Sequence, residues 1–198
     1  MNTRSDRKAS GPLTVRELST KTWSDFETVL GSNGGARGCW CMHWRLSIAE
    51  WTEGKGEGNK RAMSRLAERE PAPGVVVYDD DTPVAWCSLG PRSSFPRLER
   101  SPLLASVDDE PVCAIACVYV QKEHRGSGLL PAVLEAVCEY AASAGYETAE
   151  GYPVEPREGK RAGADTAMTG IASAFLGAGF SEVARPRDDR PIMRRKLG

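Results

Sequence analysis

Between Val112 and Gly145 the chain changes its hydrophobic period once, and sharply. VCAIACVYV (112–120) is a continuous run of β-branched, small and apolar residues, the composition of a strand covered on both faces. After the polar stretch QKEHRGSG, Leu130, Val133, Leu134, Val137, Cys138 and Ala141 fall at i, i+3, i+4, i+7, i+8 and i+11. That is one face of an α-helix, with Glu135, Glu139 and Ser143 on the other side. Pro131 is tolerated only in a helix's first turn, so the helix starts near Gly128; Gly145 is a natural stop. Strand, glycine-bearing turn and helix N-terminus together aim free backbone N–H groups at an anion.

The other patterns are shorter. LTVREL (13–18) alternates as a first strand. Thr22 or Ser24 can cap a following helix in which Trp23, Phe26, Val29 and Leu30 share a face, ended by GSNGGARG. CWCMHWRLSIAEW reads as partly helical from Met42 onward, and glycines at 54, 56 and 58 make a break. A second helix is expected over 59–70, with Ala62, Met63, Leu66 and Ala67 on one side and Pro71, Pro73 and Gly74 ending it. Residues 74–89 read as a β-hairpin, VVVY and VAWCSL joined by DDDTP. The triple Asp is a solvated turn rather than a cation site, because no further ligand pattern follows it. Residues 90–110 form a long connection with room for a short helix. After Gly145 come a short strand (148–152), a loop from Pro153 to Gly163 expected to be mobile, and a helix reaching Gly177 from Thr166 or Thr169. Two closing strands follow, around Val183 and over 191–197.

Length and charge narrow the class. The 198 residues suit one α/β domain, expected over 12–198, behind a polar lead-in of residues 1–11 that lacks a signal peptide's apolar core. Lys and Arg number 26 against 27 Asp and Glu, which argues against binding nucleic acid through a basic field. No apolar run approaches the about 18 residues of a membrane span. The six cysteines are read as thiols, four of them inside apolar patterns, and the chain is expected in the cytosol.

RGSGLL (125–130), after a strand and opening a helix, resembles the acyl-CoA-binding signature of the GNAT superfamily of N-acetyltransferases. Arg125 and Gly128 fit that signature and Gly126 matches a frequent glycine, while Leu130 stands where the family has a small residue. The order of expected elements also matches the family along nearly the whole chain, and FLGAGF (175–180) resembles its late Tyr-x-x-x-Gly-Phe pattern. A dinucleotide fingerprint would need G-x-G-x-x-G and a P-loop G-K-[S/T]; neither is present.

The resemblance implies an α/β fold, more narrowly α+β: a mixed, mostly antiparallel sheet whose fourth and fifth strands splay around CoA. It implies acetyl-CoA as co-substrate, with no metal, and the amine of a small molecule as acceptor, attacking directly in a ternary complex. Nucleic-acid and membrane partners are not expected, and the chain would act as a monomer or homodimer. The pyrophosphate would lie on Arg125, Gly126, Ser127, Gly128, Leu129 and Leu130, and the pantetheine arm beside the backbone of Val118, Tyr119 and Val120. The expected fourth strand holds no carboxylate, which leaves Glu150 and His43 as candidate bases. Phe175 stands where the family often has a proton-giving tyrosine; Tyr152 or water is the substitute. The rival reading is a non-catalytic acyl-CoA-binding sensor. A third, an aminoacyl-tRNA-dependent relative, fits the near-neutral charge poorly.

Cys39, Cys41 and His43 alternate so that a strand would put them on one face, but a metal site lacks its fourth ligand. In the family this region lines the acceptor cleft, which makes Trp40, Met42 and Trp44 candidate pocket residues. Packing of helices onto the sheet is the alternative for Trp44 and Trp51. Arg45 is either a carboxylate-recognising or a surface residue.

Overall fold

A computed structural model describes residues 11–156 and 167–198. The chain runs β1 (Thr14–Glu17), α1 (Trp23–Leu30), α2 (Ile48–Glu53), α3 (Glu57–Ala67), β2 (Val75–Asp79), β3 (Thr82–Pro91), α4 (Pro96–Glu99) and β4 (Cys113–Val120). It continues through α5 (Leu129–Ser143), β5 (Thr148–Gly151), α6 (Ala172–Gly177), β6 (Ser181–Arg187) and β7 (Arg190–Lys196). The strands make one sheet in the order β1-β2-β3-β4-β5-β7-β6, antiparallel throughout except for β4 and β5.

The parallel pair is short. Cys113, Ala114 and Ile115 pair with Ala149, Glu150 and Gly151, and beyond that point β4 continues to Val120 with β3 as its only strand partner among the described residues. The sheet is therefore split between the C-terminal halves of β4 and β5. A bulge sits at the start of the split: Ser88 pairs with Cys117 and Leu89 with Ile115, which leaves Ala116 without a partner. An extra residue reverses the alternation of everything after it. Cys113, Ile115 and Val118 face α5, packed on Val133, Leu134 and Val137, whereas Cys117 joins Phe26, Trp40 and Met63 on the opposite face. A third cluster on Ala114 and Ala116 gathers Phe95, Leu98, Leu104, Tyr152 and Ile192.

The hairpin of β2 and β3 turns at Asp80 and Asp81, as the pattern indicates. Other local expectations need correction. Thr22 precedes α1 but caps nothing: its Oγ1 accepts from the Ser19 N–H at 3.0 Å and donates to the Glu17 carbonyl at 2.7 Å, closing the turn after β1. The segment 39–46 is neither strand nor helix, because Trp40 and Cys41 adopt left-handed φ of 46° and 54°. Helix α2 starts only at Ile48, behind a capping box in which Ser47 and Glu50 satisfy each other's backbone N–H. In α5 the buried first-turn residue is Leu129, and Leu130 turns to the open cavity described below.

Of the loop from Pro153 to Gly163 and the helix start at Thr166, residues 157–166 lie outside those described, as does the lead-in apart from Gly11. Val154 itself is tied down, receiving and giving backbone bonds with Gly170 and Ala172. Thr169 falls in a 3-10 turn (Ala167–Thr169), and α6 proper starts at Ala172. No helix among the described residues is long and apolar enough to cross a membrane.

Candidate acyl-CoA and acceptor site

The turn between β4 and α5 presents backbone N–H groups to open space. Gly126 and Gly128 hold φ of 79° and 77°, a left-handed conformation that costs any L-residue with a side chain. A Cβ at either position would meet no protein atom within 4 Å, so the space in front of the turn is open. Among the described residues, the N–H groups of Gly126, Ser127 and Gly128 donate to no backbone carbonyl. The first N–H groups of α5 follow directly, at the positive end of a 15-residue helix. The Ser127 hydroxyl donates to the His124 carbonyl at 2.7 Å and fixes the turn. Arg125 folds back: its Nε donates to the Val120 carbonyl at 2.8 Å and its guanidinium covers the Tyr119 ring at 4.6 Å. Its role in the turn is thus to anchor the end of β4 while keeping positive charge beside the amides.

One cavity of about 830 Å³ connects this turn to the split in the sheet. Cys117–Val120 form one wall, the turn and Leu129–Pro131 the top, and Ala167–Ala174 part of the far side. The remaining wall comes from 34–51, through Cys39, Cys41, His43 and Trp51. Trp40, Met42 and Trp44, expected in the pocket, are not among the lining residues. Trp40 packs on Trp23 and Phe26, Met42 is buried with them, and Trp44 lies against the cluster of Phe95. The odd-numbered residues do share one side, as their alternation suggests, although turns rather than a strand put them there. Cys41 and Cys117 touch across the floor, Sγ to Sγ at 3.4 Å. The hydrogen bond with the Cys117 sulfur, and then burial, push the Cys41 thiol well up from its ordinary range.

His43 lies edge-on to Trp44 and Trp51 and half-buried. Its Nδ1 is 3.3 Å from Arg97 Nη1, which also donates to the His43 carbonyl at 2.8 Å. Desolvation and the Arg97 charge bring its pKa down to about 4, so the ring is neutral at pH 7. A guanidinium only donates, so Nδ1 carries the lone pair and the proton sits on Nε2.

Glu150 and Tyr152, the other candidate catalytic residues, do not line the cavity. Glu150 is 1% exposed, with Oε2 accepting from Arg194 Nε at 2.7 Å and Oε1 from the Tyr152 hydroxyl at 2.6 Å and Arg92 Nη1 at 3.4 Å. Arg92 also donates to Tyr152 at 2.8 Å and to the carbonyls of Leu98 and Leu104, and Arg194 pairs with Asp108. Burial and the Glu150 carboxylate hold the Tyr152 phenol far above its usual pKa. These groups pin the long connection 92–110 to β5 and β7.

A model of the acetyltransferase (GNAT) family matches residues 40–153, more than half of the chain and all of the split, the bulge and the turn. The chain belongs to that family. Solved GNAT folds align over nearly its whole length at low identity. An acetyltransferase of the family from Listeria monocytogenes is 8% identical over 96% of this chain and 99% of its own, at a TM-score of 0.55. AAC(6')-Ib bound to ribostamycin and coenzyme A is 12% identical over 94% of both chains, at 0.53. The ribosomal-protein-S18-alanine N-acetyltransferase from Escherichia coli gives 12%, 94% of both chains and 0.50. No curated protein sequence matches the chain. The mixed sheet with its parallel β4–β5 pair is the GNAT fold.

Acetyl-CoA fits what the described residues offer: open space before two left-handed glycines, amides at a helix start that meet no backbone carbonyl among them, and a strand edge that pairs with no other described strand. All six cysteines are free and buried. Among the described residues no group of three or more His, Cys, Asp or Glu is placed to hold a metal. Arg92, Arg97 and Arg194 were not singled out from the sequence, since arginines in polar stretches carry no periodic signal.

Proposed function

We propose that this chain transfers an acetyl or similar acyl group from acetyl-CoA to the primary amine of a small molecule, by direct attack within a ternary complex. The observation that carries this reading is the continuity of one cavity from the amide-lined turn, past the free edge of β4, to the wall made by Cys39, Cys41, His43 and Trp51. In this reading the pyrophosphate lies on the N–H groups of 126–130 beside Arg125. The pantetheine extends along Val118–Val120 as an added strand, and an N–H of β4 polarises the thioester carbonyl.

His43 is the one of the three catalytic candidates that faces the acceptor, and as a neutral Nε2–H ring it orients the acceptor by donating to it. Glu150 and Tyr152 act as the buried frame that sets β5 at its angle to β4. Phe175 has no proton to give, so the departing thiolate takes its proton from the attacking nitrogen, directly or through water, and positioning supplies the rate. The protein works in the cytosol as a monomer or homodimer, without nucleic acid or a membrane.

A second reading, an acyl-CoA sensor without turnover, is favoured by Phe175 and by the full occupation of both Glu150 oxygens. Release of CoA thiol from acetyl-CoA with a panel of amines separates the two. Amine-dependent release supports transfer. Tight CoA binding with no release on any amine supports the sensor.

A further inference from the structure

All six cysteines lie among the described residues, and the fold sorts them into two sets. Cys87, Cys113 and Cys138 are at most 1% exposed and pack in the cluster under α5. Cys39, Cys41 and Cys117 are between 7% and 9% exposed and line the cavity. Within this second set the contacts differ. The Cys39 sulfur accepts the Trp51 indole N–H at 3.4 Å. Cys41 and Cys117 meet sulfur to sulfur at 3.4 Å, although 76 positions separate them in the chain. The bulge in β4 produces that meeting. By simple alternation Cys117 would follow Cys113 and Ile115 toward α5; the extra residue at Ala116 sends it to the opposite face, where Cys41 lies.

We propose that Cys41 and Cys117 are a redox pair, which a small-molecule disulfide entering the cavity converts into an intramolecular disulfide across its floor. A disulfide bond is about 2.05 Å long, so the sulfurs must close by roughly 1.4 Å. The parts that have to give are a bulged strand and a turn segment outside regular structure. The cavity, of about 830 Å³, brings a small disulfide to both sulfurs. One protein sulfur, as thiolate, attacks the small disulfide and expels one half of it as a thiolate. The second protein sulfur then attacks the protein sulfur of that mixed disulfide; the new S–S bond forms and the other half leaves. The protons of the two protein thiols pass to the departing thiolates, so two protein thiols are oxidised and one small disulfide is reduced to two thiols. The bond joins the segment 39–46 to β4 one residue before Val118. On the acyl-transfer reading above, on which this consequence rests, the sulfur end of the pantetheine lies there. Oxidation draws the two walls together at that point and shuts out the acyl arm.

The test treats the full chain with oxidised glutathione for hours, because exchange runs through the thiolate and the Cys41 proton is tightly held. After desalting, free thiols are counted by alkylation in denaturant, and acetyl-CoA binding is measured by calorimetry. The wild type is expected to lose two of its six thiols with no glutathione attached, and to regain both with dithiothreitol. Cys41→Ser and Cys117→Ser should form no internal disulfide, whereas Cys39→Ser should form it as the wild type does. The oxidised wild type should bind acetyl-CoA about tenfold or more weakly than its reduced form, the effect of overpacking a closed space. Adenosine 3′-phosphate 5′-diphosphate, which lacks the pantetheine, should bind both forms equally. A wild type that keeps all its thiols, or an internal disulfide that survives Cys41→Ser or Cys117→Ser, would overturn the pair. A Cys41–Cys117 disulfide with unchanged acetyl-CoA binding would overturn its control of the cavity. The disulfide in a protein whose reduced form binds no acetyl-CoA would overturn the acyl-transfer reading and leave the redox pair standing.

Discussion

Phe175 and Gly151 share one space: a Cβ on Gly151 would fall among the carbons of the Phe175 ring. The ring also stands 2.6 Å from where a Cβ on Gly170 would be, and packs edge-on to Phe180 at 4.9 Å. Strand β5 therefore ends in glycine because α6 seats its aromatic residue there. Gly151→Ala overpacks a fully buried ring and should cost about 1–3 kcal/mol, or about 2–4 °C of Tm per kcal/mol in a chain of this size. Adding Phe175→Leu should recover part of the loss. A Gly151→Ala variant that melts with the wild type would mean α6 does not sit on the end of β5.

The two left-handed glycines of the turn face open space rather than protein atoms, which in the proposed function is where the phosphates lie. Gly128→Ala should therefore leave a folded protein destabilised by about 1–2 kcal/mol while weakening CoA at least tenfold. Acetyl-pantetheine, which has no pyrophosphate, should be used about equally by variant and wild type. Equal losses with both donors would show that the turn does not hold the phosphates.

His43 gives the chain a defined acid sensitivity. Its pKa falls from about 6.5 unfolded to about 4 folded, so between those values the unfolded chain binds a proton that the folded chain refuses. Stability then drops as pH falls through that window and is flat above it. Allowing for the ring's partial exposure, the drop should be ~1–2 kcal/mol. Denaturant midpoints measured between about pH 7 and 4 should show it, and His43→Gln should remove that part of the slope. An unchanged slope in the variant would mean the ring is not held neutral by Arg97 and burial.

Glu150 tests whether the buried ion cluster frames the site or performs chemistry. Removing one partner of such a pair typically costs about 3–5 kcal/mol. Arg194→Ala should thus lower Tm strongly, and Glu150→Gln should lower Tm more than it lowers kcat at a temperature where both proteins are folded. A Glu150→Gln protein with wild-type stability and a hundredfold lower kcat would instead make Glu150 the base.

The strand, turn and helix of the proposed donor half were legible in the chain because they are local. One apolar run, two glycines, Pro131 and a change of period lie within 112–145 and specify strand, turn and helix in order. The acceptor half was not, for identifiable reasons. Left-handed φ at Trp40 and Cys41 turns the residues expected in the pocket toward the core and leaves their odd-numbered neighbours on the cavity. The bulge at Ala116 reverses the facing of Cys117 without any glycine or proline to announce it. Glu150 reads as a strand residue, and its partners Arg92 and Arg194 lie 58 and 44 positions away, so only the closed sheet brings them together.

The most direct measurement is a crystal structure of the full chain with CoA. The account expects the pyrophosphate against the amides of 126–130, and the pantetheine in the split beyond Ile115, bonded to the backbone of Val118–Val120. Its sulfur should lie near the wall of Cys41, His43 and Cys117. A nucleotide bound away from the turn, or a pantetheine that leaves the edge of β4 free, would contradict it.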